Sequence, residues 1–538
     1  MNINQTLYQT VLSTAKEHPD SIALRFMNKA IKYKTLIVNI DRVASGFHQL
    51  GINHGDVITL CMPNVLEVIY AFYAIHKLGG ICHMVHPLTP VNQLHGQMQQ
   101  TKSKLLVIID TFFDVYQKMM KELELPMILV TPADSLGLIK KIGYRVINSE
   151  RLKNIHYSKT IIPFSSLYNN KHLSDIKGID IKSTAVYLHS GGTSGTPKTI
   201  ELSHFAINSL AAKTDYILDE HDFSNRHMLA VLPMFHGFGL CMGVHAMLSF
   251  GGCDTLMPKF NTEETIKLLK KNQINYLIGV PTLFEALLNK PEFKGEHLKN
   301  LKQAFVGGDY VSPHLKERFN NLMAEYNSHA QLLEGYGLTE VVTVCAVNTI
   351  FEQKQGTVGK PLPGLDIKIL DLETREELPI GTAGEIAVAG DTRMNGYLLD
   401  SEATNSTILS IRDIPYILTG DFGLIDSEGY LHFKQRMKRI VKVLGMPILP
   451  SEIETLISAS PDVFEVAAVG VPDLEKGNVI KLFITLKPGV ERAMTDPEIK
   501  ALIKSELSIY AVPKDIVYLE KMPRTVIGKI DTKLLETM

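Results

Sequence analysis

The stretch "SGGTSGTPK" sets seven successive Gly, Ser or Thr residues, Ser190, Gly191, Gly192, Thr193, Ser194, Gly195 and Thr196, ahead of Pro197 and Lys198. Small residues let backbone N–H groups approach a phosphate closely, and hydroxyls add further donors. Lys198 supplies the point charge that a polyphosphate needs. The spacing excludes one chemistry. A Walker A loop requires Gly-Lys-Ser/Thr in direct succession, and Thr196 and Pro197 separate Gly195 from Lys198 here, which argues against a P-loop kinase or motor ATPase. On these residues alone, a plain glycine-rich turn between strands stays open as the alternative.

The elements that must hold such a loop are legible around it. "KLLVIID" (104–110), "TAVYLH" (184–189), "NYLIGV" (275–280) and "QAFVGG" (303–308) read as buried strands. Each is followed by turn residues and a helix signal, the pattern of an α/β architecture with largely parallel sheets. Ser312-Pro313 marks a helix start, and Thr495 with Glu498 forms a capping box before another. After residue 360 the pattern turns β-rich, with "LDIKILD", "AGEIAVAG" and the hairpin "GLIDSEGYLHF". The last hundred or so residues read as a small α+β unit. The expected organisation is a large domain over 1–436 of βαβ-type sheets with helices, including a β-rich subdomain over about 357–436, then a small mobile domain over 437–538.

Length and composition agree with two or three domains: 538 residues, 45% hydrophobic and 21% charged. With 55 Lys+Arg against 57 Asp+Glu, the net charge of -2 offers no basic field for nucleic acid or an anionic membrane. The most apolar stretch, "VLEVIYAFYAIHKLGGICHMV", is broken by Glu67, His76 and Lys77 and reads as a buried helix followed by a strand, not a membrane span. The start carries no signal-peptide pattern, and five scattered cysteines without a CxxC pair read as reduced thiols of a cytoplasmic protein. No zinc-site spacing occurs among Cys and His. No coiled-coil heptad speaks to assembly, and a homodimer is compatible with the chain.

The glycine-rich run has companions in a fixed order: "LPMFHGFG" (232–239), "VGGDYVS" (306–312), "EGYGLTE" (334–340), "TVGKPLPG" (357–364), "TGDFG" (419–423), "RMKRIVKVLGMPILPSEIE" (436–454) and "PRTVIGKI" (523–530). Together they resemble the adenylate-forming superfamily, which comprises acyl- and aryl-CoA ligases, firefly luciferases and peptide-synthetase adenylation domains. The resemblance spans nearly the whole chain, and it implies the following roles. Residues Ser190–Thr196 and Lys198 hold the β- and γ-phosphates of ATP. Tyr336 stacks on adenine, with Gly307, Gly308 and Asp309 on the other side and Glu334, Gly335 and Gly337 beside it. Asp421 and Arg436 take the ribose. Thr339 and Glu340 meet the α-phosphate and Mg²⁺, with Thr193 as a second residue on the metal side. His236 adjoins the substrate carboxylate and the α-phosphate, where an imidazole donor steadies two anions. Lys529 neutralises the developing charge of adenylation. Lys438 falls at the family's hinge, and Lys442 and Gly445 on the face used for thioester formation.

The implied reaction is an ATP-dependent acid–CoA ligation. An apolar acid, fatty or aromatic, is activated as acyl-AMP with release of pyrophosphate, and CoA then takes the acyl group with release of AMP. The implied pocket segments (236–241, 279–284, 305–309 and 341–347) hold no Arg, Lys or opposed acid–base pair fit to clamp an amino acid. Three alternatives accompany this expectation: a stand-alone adenylation enzyme loading a carrier-protein thiol in trans, a nucleotide-binding interaction module without catalysis, and a luciferase-like oxygenase. Three positions depart from the family pattern. Gly192 lacks a commoner hydroxyl, Thr199 replaces a usual Gly with a β-branched residue expected to make a working but less mobile loop, and Asp309 replaces a small residue.

Overall fold

The computed structural model describes residues 1–132, 138–169, 173, 178–190, 197–473, 475–487, 489–490, 494–524 and 530–538. Two compact units emerge from the chain, one comprising Met1–Ile367 with Val388–Ile417 and the other Lys368–Ala387 with Leu418–Met538.

The first unit is built on two sheets. In one of them, four adjacent strands, His227–Ala230, Tyr276–Gly279, Gln303–Val306 and Leu332–Gly337, lie side by side and parallel. Their residues are almost all buried, as expected of strands covered on both faces. The loops that leave their carboxyl ends therefore line up along one edge of the sheet, where open α/β sheets bind ligands. Those loops carry His236, Gly307–Asp309, Thr339 and Glu340. Helices Pro281–Leu288 and Pro313–Glu325 cover this sheet, the second capped by Ser312, whose hydroxyl accepts from the Leu315 amide at 3.1 Å.

The other sheet orders Tyr397, Thr199–Ser203, Thr184–His189, Ile81–Met84, Val57–Cys61 and Ser103–Ile109 across its width. The apolar run becomes helix Leu66–Lys77 and strand Ile81–Met84. All twelve helix residues are buried, and Lys77 is tolerated there because Asp41 accepts from its ammonium at 2.7 Å. Among the described residues no helix is long and apolar enough to cross a membrane.

The second unit packs helices Pro450–Ser458 and Asp496–Glu506 on strands Val463–Asp473, Gly477–Leu486 and Asp515–Tyr518 around Ile453, Ile480, Leu482, Ile499 and Ile503. The Thr495–Glu498 capping box is formed, starting the second helix.

His76, His204 and His245 lie together in the core of the first unit. His76 stacks edge-on between Phe72 and His204, at 4.5 and 5.0 Å between ring centres. His245 donates from Nε2 to Asn208 and accepts the Tyr73 hydroxyl at Nδ1, both at 2.9 Å. Burial pushes His204 down to about 4, His245 down to about 3 and His76 well below its ordinary value. Unfolding restores an ordinary imidazole near 6.5, so below that pH the unfolded chain binds protons that the native core refuses. Stability is thus fully present above about pH 6.5 and is lost as pH falls toward 4, by on the order of 3 kcal/mol for a fully buried histidine. Urea unfolding of the first unit, followed by tyrosine fluorescence, should show a midpoint that is flat from pH 8 to 7 and falls steeply between pH 6.5 and 4.

Candidate active site

The neck of the glycine-rich loop is closed by two hydrogen bonds. The Ser190 amide donates to the Lys198 carbonyl at 2.9 Å, and the Lys198 amide donates to the Ser190 hydroxyl at 3.0 Å. Gly191, Gly192, Thr193, Ser194, Gly195 and Thr196 lie outside the described residues, as does Lys529. Strands Thr184–His189 and Thr199–Ser203 pair antiparallel, with His189 opposite Thr199, so they present both ends of the loop together.

A polar chain runs under this neck. The buried Thr199 hydroxyl donates to Gln100 Oε1 at 3.3 Å and accepts from His189 Nδ1 at 3.4 Å. His189 Nε2 must then accept, and His83 Nε2 donates to it across 2.8 Å. His83 Nδ1 in turn accepts the Thr59 hydroxyl at 2.9 Å. One proton arrangement satisfies every member, with each imidazole neutral and in a defined tautomer. Burial favours that state, pushing His189 down to about 4 and His83 well below its usual range. Thr199, expected to stiffen the loop, is the end of this chain.

His236 and the pair Thr339–Glu340 come together through backbone. Thr339–Val341 is a short 3₁₀ turn, and it is followed by a γ-turn centred on Val342 at φ 69°, ψ -60°, closed by the Thr343 amide donating to the Val341 carbonyl at 2.9 Å. That conformation is strained even for flexible residues, and here it is held by a buried β-branched one. The turn thrusts its carbonyl at the His236 loop. A β-carbon on Gly237 would sit 1.8 Å from the Val342 oxygen, and one on Gly337 would sit 1.5 Å from the Thr343 oxygen. Only glycine permits either approach. The His236 side chain is exposed at its surface, while its ring packs edgewise on Phe235 with 4.9 Å between ring centres. Desolvation, with His86 close by, pushes it down to about 4. It is neutral at pH 7 and offers one N–H donor to an anion.

Glu340 is engaged on one oxygen. Tyr397 donates its hydroxyl to Oε1 at 2.8 Å, and the ammonium of Lys198 lies 4.6 Å from the centre of the same tyrosine ring. Among the described residues no group of three His, Cys, Asp or Glu is disposed to cage a metal. The donor set of Glu340 and the Thr339 hydroxyl instead fits an ion such as Mg²⁺ that brings phosphate oxygens and water as its other ligands.

Gly307, Gly308 and Asp309 follow strand Gln303–Val306, and Glu334, Gly335 and Tyr336 lie on its neighbour, with Val306 opposite Glu334. Gly307 meets the Gly335 carbonyl so closely that a β-carbon would be 2.9 Å from it. The Asp309 carboxylate accepts the Tyr310 amide at 3.0 Å, Tyr336 is buried, and Glu334 is paired with Lys316 at 2.7 Å.

In the second unit Asp421 and Arg436 face each other on paired strands, with Arg436 Nη1 3.0 Å from the buried Asp421 Oδ1. The Thr419 hydroxyl donates to Ile386 and accepts the Asp421 amide, which fixes the turn that presents the carboxylate. Lys438 lies in the 3₁₀ turn Met437–Arg439. Lys442 is exposed on strand Val441–Val443, and Gly445 shares the tip of that hairpin with Leu444, both at positive φ.

Sequence reading passed over Tyr397, Val342 and the His83–His189 pair. A signal existed for the first alone: "NGYLL" sets a tyrosine after glycine, as "GYGLTE" does. The other two are visible only once distant strands are adjacent.

A family model described as AMP-binding enzyme matches residues 12–398, and one described as AMP-binding enzyme C-terminal domain matches 452–529. The long-chain-fatty-acid–CoA ligase of Salmonella typhimurium is 30% identical, over 98% of this chain and 94% of its own. That of Bacillus subtilis is 29% identical, over 98% and 93%. The crystal structure of ATP-bound MatB from Rhodopseudomonas palustris superposes with a TM-score of 0.85, over 100% of this chain and 99% of its own at 23% identity.

A methyl group at either close glycine contact must push carbonyl against carbonyl. Gly337→Ala is expected to lower the unfolding free energy by roughly 3 kcal/mol and ATP turnover at least tenfold. Gly143→Ala, where a β-carbon meets nothing within 4 Å, serves as control and should be neutral or mildly stabilising in the same urea titration.

Proposed function

Because the chain belongs to the AMP-binding enzyme family, we propose that it is an ATP-dependent acid–CoA ligase acting on a fatty acid through an acyl-adenylate. One observation carries the reading: Lys198, at the neck of the phosphate loop, and Glu340, the metal-side carboxylate, meet through a single tyrosine. Charges assigned to the polyphosphate and to its metal are thereby held at one place. The end-to-end likeness to two bacterial long-chain-fatty-acid–CoA ligases supports the choice of acid and of thiol.

In the first half-reaction a carboxylate oxygen of the acid attacks the α-phosphorus of ATP. The bond to the bridging oxygen breaks and pyrophosphate leaves. Ser190, the loop Gly191–Thr196 and Lys198 hold the departing phosphates, with Thr193 on the metal side. Neutral His236 donates one hydrogen bond toward the incoming carboxylate or the α-phosphate, and at pH 7 it adds no positive charge. Mg²⁺, when bound at Glu340, neutralises phosphate charge. Lys529 supplies the cation opposite the developing charge. Tyr336 with Gly307, Gly308, Asp309, Glu334, Gly335 and Gly337 receives adenine, and Asp421 accepts both ribose hydroxyls while Arg436 reaches the same ribose.

In the second half-reaction the CoA sulfur attacks the acyl carbonyl of the mixed anhydride, forming the thioester and releasing AMP. A turn of the domain 437–538 about Lys438 withdraws Lys529 and brings the hairpin of Lys442 and Gly445 into play. Support for a separately acting C-terminal domain comes from its distinct family match over residues 452–529. The segments expected to line the acyl pocket include the buried Leu240, Val341 and Cys345, which supports an alkyl chain as the bound group. All five cysteines are buried thiols outside any disulfide, which supports a cytoplasmic enzyme.

The two half-reactions separate experimentally. With Lys529→Ala, acid-dependent pyrophosphate exchange should fall by roughly a hundredfold or more, while thioester formation from supplied acyl-adenylate and CoA stays within about tenfold of wild type. Equal loss in both steps would sink the alternation. A pyrophosphate-release panel of medium- and long-chain fatty, aryl and dicarboxylic acids should show highest kcat/KM for a fatty acid; preference for a dicarboxylic acid would overturn the substrate class.

A further inference from the structure

The segment Met394–Leu398 grips two parts of the site at once. On one side, the Met394 amide donates to the Glu340 carbonyl at 2.8 Å and the Tyr397 hydroxyl to the Glu340 carboxylate at 2.8 Å. On the other, the Asn395 amide donates to Glu201 at 2.8 Å and the Leu398 amide to Thr199 at 2.9 Å. Glu201 and Thr199 lie on the strand that leaves the phosphate loop, and Tyr397 is in register with Ile200 on it. The segment is thus a short strap from the loop's exit strand to the metal-side carboxylate.

We propose that Tyr397 is the positioning residue of this strap, orienting Glu340 toward the metal of the metal–ATP complex and seating Lys198 of the phosphate loop on its ring. The inference rests on the reading of Glu340 and Lys198 given above. Tyr397 is itself rigidly held. It is buried, and its amide donates to the Thr404 hydroxyl at 2.9 Å. Its phenolic O–H is the donor and the Glu340 carboxylate the acceptor. Among the described residues, Glu340 Oε1 takes this one hydrogen bond and Oε2 takes none, so Oε2 is the oxygen presented. A carboxylate with one oxygen pinned loses rotation about its last torsion, and such outer partners are worth about tenfold or more in metal affinity. Lys198, 4.6 Å from the ring centre, is within the range of cation–π attraction and so is held without a counter-carboxylate that would cancel its charge.

The alternative is that Tyr397 only satisfies a half-buried carboxylate, and metal affinity distinguishes the two. Mn²⁺ is titrated into full-length enzyme with saturating α,β-methylene-ATP, and free Mn²⁺ is read by electron paramagnetic resonance. Tyr397→Phe should weaken Mn²⁺ binding about tenfold, with the melting temperature within a few degrees of wild type and analogue binding in EDTA unchanged. In a Glu340→Gln background the same substitution should add nothing. Wild-type Mn²⁺ affinity in Tyr397→Phe, with affinity lost in Glu340→Gln, overturns the proposal and leaves the functional reading intact. Unchanged affinity in Glu340→Gln overturns the assignment of Glu340 itself. Tyr397→Leu, which also removes the ring, should weaken pyrophosphate binding several-fold beyond Tyr397→Phe; equal pyrophosphate affinity in the two overturns the seating of Lys198.

Discussion

Everything at the candidate site depends on carbonyl oxygens being allowed where a β-carbon would otherwise stand. Val342 pushes its oxygen onto Gly237, and Thr343 pushes its own onto Gly337. The first contact brings the loop of His236 against the loop of Thr339 and Glu340, although more than a hundred residues separate them, and the second closes the hairpin that carries Thr339 and Glu340. The γ-turn that makes the approach costs about 1–3 kcal/mol. Burial of Val341, Val342 and Cys345 offsets that cost, since fully burying one such side chain contributes about 1.5–3 kcal/mol. Packing wins, and the strained turn persists in a place where its strain is useful.

Electrostatics at the site follow from the same crowding. Desolvation is the largest influence on His236, His189 and His83 alike, and in each it favours the neutral ring. In the first unit these rings are therefore neutral hydrogen-bonding groups, while a cationic charge at the neck of the glycine-rich loop is carried by Lys198. Asp421 differs in having a charged partner: it is buried, and the Arg436 guanidinium lies 3.0 Å from its carboxylate.

The fold was largely legible from pattern. The buried strands around residues 104–110, 184–189, 275–280 and 303–308 are continuous apolar runs, and such runs have few options other than the middle of a parallel sheet. Helix starts at Ser312 and Thr495 were readable because capping is local, involving groups three residues apart. Partners were less readable. Lys77 looked like an interruption in an apolar helix, and only the arrival of Asp41 from another helix explains its burial. Thr199 looked like a departure that would stiffen a loop. Its side chain instead ends a hydrogen-bonded chain crossing four strands of the sheet, an arrangement that depends on strand order.

What the sequence by itself determined was the inventory and the local geometry: which residues bear chemistry, which stretches are strand or helix, and the order of motifs that marks the family. These are readable because hydrophobic periodicity, caps and glycine-rich turns act over a few residues. What only the tertiary structure decided was adjacency. That Tyr397 joins Glu340 to Lys198, that His83 meets His189, and that Gly237 admits the Val342 carbonyl all depend on strand order and on distances of a fraction of an ångström. No local rule encodes them, because each arises where segments far apart in sequence are packed together.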